Sequence, residues 1–245
     1  AECAANADRL TAISDYAALE ETLSAGRLAG VASMAGLEAI GDDPGLLEVL
    51  HRLGIRVASL TWNERNQLAD GAGHSETGSH LTSAGREAVQ RMNHLGMVVD
   101  ISHLSESCFW DVLDASEKPL LASHSNARAL CDHPRNLTDD QIRAMAQRGG
   151  VIDVTFVSGF LLASPEEATL ETVVDHIDHI VQLVGPEHVG IGSDFDGTTT
   201  LPRGLEDVTH LPALTEALMH RGYGQEAVTA ILGGNVLRLL REVWL

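Results

Sequence analysis

The chain has 245 residues, 44% of them hydrophobic, which is enough for one large globular domain. Its 16 Lys+Arg against 35 Asp+Glu give a formal charge of −19, with the acidic residues scattered rather than run together. That balance argues against polyanionic partners such as nucleic acid or an anionic membrane surface, and no apolar stretch approaches membrane-spanning length.

Residues 6–24 carry apolar positions at helical spacing (Leu10, Ile13, Tyr16, Leu19, Leu23), so a helix is expected first. Residues 28–34 read as a strand, 44–54 as a helix opened by Pro44, and 55–60 as the next strand. From Glu64 to His80 the chain is polar, Gly-rich and without periodicity, which predicts a functional lid or a loosely ordered loop. Thr82 caps a helix reaching about His94. A strand over 97–102, a helix over 106–115 and a strand over 120–123 follow as one unit. Thr138 opens a helix ending at Gly149, residues 150–156 form a strand, 170–184 a helix and 189–193 a strand. Helices over 212–221, 226–232 and 235–243 close the chain. Six strands alternating with helices, with no hairpin signal, predict a parallel sheet. The expected fold is α/β, a single (β/α)8 TIM-barrel-like domain over 1–245 that lacks its first unit.

Three cysteines (Cys3, Cys108, Cys131) have neither the number nor the spacing of a disulfide framework. Reduced thiols in the cytoplasm are therefore expected. Neither the start, Ala1-Glu2-Cys3, nor the C-terminal Leu-Arg-Glu-Val-Trp-Leu reads as a targeting or anchor signal.

Two apolar runs end alike, in Ser102-His103 and Ser123-His124. In a parallel α/β fold the carboxyl ends of strands carry catalytic groups, and paired imidazoles suit a divalent metal. Arg135, in an X-Pro turn, reads by itself as a loop arginine paired with a neighbouring carboxylate. Asp194-Phe195-Asp196-Gly197 directly follows an apolar strand. It is either a turn closed by Gly197 or a functional carboxylate at a strand end. Asp153 is given no function, and Gly190-x-Gly192 lacks a phosphate-loop pattern. His51, His94 and His220 fall in helical segments and read as surface groups.

The blocks Leu60-Thr61-Trp62-Asn63, Asp100-Ile101-Ser102-His103, Ser123-His124-Ser125-Asn126-Ala127, His133-Pro134-Arg135-Asn136, Gly192-Ser193-Asp194-Phe195-Asp196-Gly197 and Gly204-Leu205-Glu206-Asp207 occur in this order. So ordered, they resemble the renal or membrane dipeptidase family, the binuclear zinc dipeptidases, from about Ile13 to the end. The resemblance implies hydrolysis of dipeptides at two zincs bridged by a carboxylate and a water or hydroxide, the metal lowering the pKa of that water. It implies His103 and His124 as imidazole ligands of the second metal. Arg135 would hold the substrate carboxylate with its planar fork, and Asp194 would exchange protons with the attacking water and leaving amine.

This sequence departs from the family pattern in three places. The family's His-x-Asp pair after strand 1 is missing from any strand end. The string His176-Ile177-Asp178 lies in the 170–184 helix and reads as a helix surface. Ala35 stands before Gly36, where the bridging glutamate belongs, while Glu38 is in the following loop. Trp62 replaces a substrate-facing histidine found in some relatives. At most a partial zinc site is expected, because two imidazoles fall short of the three protein ligands usual for catalytic zinc. The expected function is a metal-dependent dipeptidase acting on small dipeptides, seen here as a fragment. The other readings are an altered relative keeping the barrel as a binding or assembly module, and an unrelated amidohydrolase-type barrel. Unpaired sheet edges predict a homodimer, a swapped element or closure by the first helix.

Overall fold

The first regular element is a strand, where a helix was expected. The computed structural model describes residues 5–245; Cys3 and the start of the chain lie outside the described residues. In it β1 (Leu10–Ile13) runs parallel to β2 (Leu28–Ala35), Leu10 opposite Leu28. The helix α1 (Tyr16–Ser24) begins only after Asp15, whose carboxylate accepts the Ala18 N–H from an extended backbone. The i, i+3 spacing of Leu10 and Ile13 mimics a helix turn, but the Asp15 cap starts the helix after them. Among the described residues there are seven strands, where six were expected.

The fold divides into two units, one reaching to Lys118 and including Leu240–Leu245, the other Pro119–Leu239. In the first, β1, β2, β3 (Ile55–Ser59) and β4 (Val98–Asp100) lie in that order, all parallel. Crossovers are made by α1, α2 (Leu47–Arg52) and α3 (Ser83–Leu95), and α4 (Glu106–Ala115) follows β4. Thr82 Oγ1 accepts the Gly85 N–H at the start of α3, and Gly96 closes it at φ 68°, a conformation that suits glycine. The apolar stripes of these helices are buried, Ala88, Val89 and Met92 on α3 and Cys108, Phe109 and Val112 on α4.

The loop expected to be a functional lid or loosely ordered is pinned. Asp70, its side chain 4% exposed, accepts from Arg65 Nε (2.5 Å) and Nη2 (2.7 Å) and from Thr77 Oγ1 (2.5 Å). The Arg65 bond is the largest cause holding its carboxyl down to about 2. The Asp70 carbonyl accepts the Ser105 N–H at the head of α4, so the loop is fastened to that helix.

In the second unit β5 (Leu121–Ala122), β6 (Val151–Val154) and β7 (Val189–Ile191) are parallel and in that order. The helices are α5 (Asp139–Gln147), α6 (Ser158–Leu161), α7 (Leu170–Val184), α8 (Leu211–His220) and α9 (Gln225–Thr229); the last helix, α10 (Asn235–Trp244), belongs to this unit up to Leu239. Thr138 and Gln141 form a capping box on α5. A π turn over Ala230–Gly234 interrupts the helix expected over 226–232. All four residues of β6 are buried, as in strands covered on both faces. The Gly190-x-Gly192 string is a packing device. A Cβ at Gly190 would collide with the Asp153 carboxylate opposite it, and one at Gly192 with the Ser123 carbonyl.

His176-Ile177-Asp178 does lie in a helix, but His176 is not on its surface. It is fully buried. Its Nδ1 accepts the Ala127 N–H at 3.1 Å and its Nε2 donates to the Leu161 carbonyl at 3.0 Å. Burial lowers its pKa and keeps it neutral. Among the described residues no helix is long and apolar enough to cross a membrane.

Candidate functional site

Two of the four candidate residues stand out by backbone alone. Among the described residues, His103 (φ 78°) and Asp194 (φ 59°) are the non-glycine positions with positive φ. That region costs an L-residue about 1–2 kcal/mol and persists where the surroundings over-determine it.

In the first unit, His103 follows β4 and is held from three directions. Its carbonyl accepts the Ala72 N–H at 2.7 Å, its Nδ1 lies 2.9 Å from Asn63 Oδ1, and the Trp62 ring sits 5.7 Å from its own at 35°. Trp62 is 53% exposed. Its N–H donates to Glu38 Oε1 at 3.1 Å, and Asn66 Nδ2 donates to the same oxygen at 3.4 Å. Glu38 thus braces the loop that follows β3. Its carboxylate lies over Gly36, where a side chain would collide with it. Ala35, the last residue of β2, is exposed.

In the second unit, His124 follows β5 with its Nδ1 2.7 Å from Ser123 Oγ. Arg135 does not project outward from its X-Pro turn. It is 7% exposed, its Nη2 donates to the His124 carbonyl at 3.4 Å, and its guanidinium carbon is 5.3 Å from the centre of the Phe160 ring, a cation–π distance. The turn is built on amides: Asn136 Nδ2 donates to the Cys131 and Phe160 carbonyls, each at 2.8 Å. His133 stacks on Phe160 at 4.3 Å, and burial, then the neighbouring Arg135, lower its pKa.

Asp194 closes a turn, its carbonyl accepting the Gly197 N–H at 3.0 Å. Its carboxylate lies where a Gly197 side chain would be. Phe195 packs edge-on against Phe156 at 5.5 Å. So the turn reading of this motif is realised, with the carboxylate carried at the end of β7. Within this unit Arg135 and His124 are in contact. The contact of Gly192 with the Ser123 carbonyl brings the end of β7 against the residue preceding His124.

An imidazole that gives its Nδ1–H to an oxygen keeps its lone pair on Nε2, the arrangement usual in metal-binding histidines. His103 and His124 each have an oxygen at Nδ1, and in that respect both fit a divalent metal. A bridged pair of metals does not fit the residues present. Ala35 offers no carboxylate, and His176 and Asp178 are engaged in the packing of α7, Asp178 by Tyr223 and Arg221. The described residues contain no group of three His, Cys, Asp or Glu able to hold a metal.

Sequence reasoning missed Asn63 as the partner of His103 and Phe160 as the platform under Arg135. Asn63 had a readable signal, since it is a polar residue just past a strand inside a diagnostic block. Phe160 had none, because its meeting with Arg135 depends on tertiary structure.

A family model described as membrane dipeptidase, peptidase family M19, matches residues 1–244. Dipeptidase tcpJ of Claviceps purpurea is 41% identical over 220 residues, covering 89% of this chain and 52% of that protein. The chain therefore spans about half the length of that relative. An uncharacterized protein in the pqqA 5′ region of Klebsiella pneumoniae is 40% identical over 225 residues, covering 89% of this chain and 83% of that protein. Among solved structures, a metallo peptidase from Rhodobacter sphaeroides liganded with a phosphinate mimic of the dipeptide L-Ala-D-Ala matches with a TM-score of 0.91 and 36% identity, covering 96% of this chain and 69% of that one.

Proposed function

The chain belongs to the membrane dipeptidase family, peptidase family M19, and on that premise we propose that the protein is a metal-dependent dipeptidase. The observation that carries the reading is the strained backbone at His103 and Asp194. The two positions held left-handed are those to which the resemblance gives a metal ligand and a proton carrier, and strain of this kind collects at functional sites.

Arg135 would grip the free carboxylate of a dipeptide through its two-donor fork, which explains a preference for substrates two residues long. Asp194 would take a proton from the attacking water and pass it to the leaving amine. His103 and His124 would each offer a metal its Nε2. Zinc suits imidazole, and when bound it supplies a water of lowered pKa and a polarised scissile carbonyl. The non-catalytic reading rests on the missing His-x-Asp pair and on Ala35, and both bear on how many metals are held.

The protein is read as a homodimer in a reducing compartment. Supporting this are Leu28 and Leu53, 70% and 74% exposed, and Cys108 and Cys131, free and buried. Light scattering at the mass of a monomer would refute the dimer. The function is tested on the full-length protein with zinc supplied, by comparing dipeptides with their C-terminal amides. Cleavage confined to free carboxylates, with KM raised in Arg135→Leu, is expected. No cleavage by the native protein or by Ala35→Glu would overturn it.

A further inference from the structure

We propose that Asn63 is a positioning residue that sets the tautomer of His103, fixing the proton on Nδ1 and the lone pair on Nε2. The purpose of this arrangement rests on the dipeptidase reading; its existence does not. The two residues meet because β3 and β4 are neighbours in register, Ser59 opposite Asp100. Asn63 lies four residues past the first of these and His103 three past the second, so both emerge at adjacent strand ends.

Asn63 is itself immobilised. Its carbonyl accepts the Gly73 N–H at 2.9 Å, and Gly71 approaches so closely that any side chain there would strike the Asn63 backbone. The residue between these glycines, Ala72, donates to the His103 carbonyl at 2.7 Å. Gly71 also bridges Leu104. One short segment therefore fixes the backbones of both partners, and the Asp70–Arg65 pair fixes the segment. Trp62 covers a face of the ring and limits its rotation. With both ends held and the amide oxygen facing the ring, the 2.9 Å contact from Asn63 Oδ1 to His103 Nδ1 allows one proton arrangement. The amide oxygen accepts, so the imidazole donates from Nδ1. An amide turned the other way would donate from Nδ2 and force the proton onto Nε2. That form could not offer Nε2 to a metal.

The test is nitrogen-15 NMR of the imidazole signals in the full-length protein at about pH 8, where an ordinary imidazole is neutral. The His103 signal is assigned by its loss in His103→Gln. In metal-stripped native protein an Nδ1–H signal with an unprotonated Nε2 is expected. Asn63→Leu should shift the proton to Nε2, whereas Asn63→Asp, which keeps an acceptor, should retain Nδ1–H. Zinc affinity, from competition with a coloured chelator, should fall by about 10–100-fold in Asn63→Leu and recover in Asn63→Asp. An Nε2–H signal in the native protein overturns the proposal even if Asn63→Leu does not fold. An unchanged tautomer in a folded Asn63→Leu overturns it equally. Neither result bears on whether dipeptides are cleaved, so failure here and failure of the dipeptidase reading remain distinct.

Discussion

Asp70 shows how far one side chain governs the ground beneath the candidate site. Its carboxylate is buried while the guanidinium it grips is half exposed. Asp70→Asn is therefore expected to cost about 2 kcal/mol, less than the loss of one partner from a fully buried pair, measurable by urea denaturation. Its pKa is lowered on folding, from 3.8 to about 2. The stability it adds is complete above the unfolded value and is lost as pH falls through the folded one. Denaturation midpoints should drop between about pH 4 and pH 2 in the native protein and drop less in Asp70→Asn. None of this was legible in the sequence, where residues 64–80 show only polarity and glycine. The candidate histidines were legible for the opposite reason. Each closes an apolar run, His103 three residues past β4 and His124 two past β5, so the run announces the strand end near which it lies, whereas a loop carboxylate is announced by nothing in its own neighbourhood.

At the scale of elements, α7 joins two kinds of contact. Its inner face carries His176, whose neutral ring satisfies the Ala127 N–H and the Leu161 carbonyl. His176→Leu leaves both groups buried and unmet, at about 1–3 kcal/mol each. A loss of several degrees in Tm, read by calorimetry, is expected. The folded pKa of His176 lies below the ordinary 6.5, so the unfolded state binds the extra proton. Its contribution is present above about pH 6.5 and declines below it, and His176→Leu should flatten that part of the pH profile. The outer face carries Glu171, Asp175 and Asp178, all paired with Arg221 just after α8. Arg221→Ala leaves three carboxylates adjacent and should lower Tm in dilute buffer, with most of the loss regained at about 1 M salt, where the screening length is about 3 Å. The extents of α4 and α7 agree with those read from the sequence, because a capping residue and an apolar stripe coincide at each. β1 was misread because four residues are too few to separate a strand's period from a helix turn.

The molecule as a whole has an α/β fold whose parallel strands are joined by helices, and that class was readable from the alternation of apolar runs. What the alternation could not convey was which polar groups had been assigned to holding the fold. Thus His176-Ile177-Asp178, which reads as a helix surface in one dimension, has its histidine buried and occupied by packing in three. The left-handed backbones of His103 and Asp194 put the reverse question: what the fold would choose if chemistry were removed. Glycine occupies such a conformation without strain, so Asp194→Gly should match or exceed the native protein by up to about 1 kcal/mol in stability while dipeptide cleavage disappears. Denaturation and a peptidase assay on the same preparation check both halves. On the role proposed for Asp194, folding stability favours losing this carboxylate and selection for turnover opposes that loss. A lineage released from catalysis is then expected to drift first at Asp194, becoming more stable as it becomes inert.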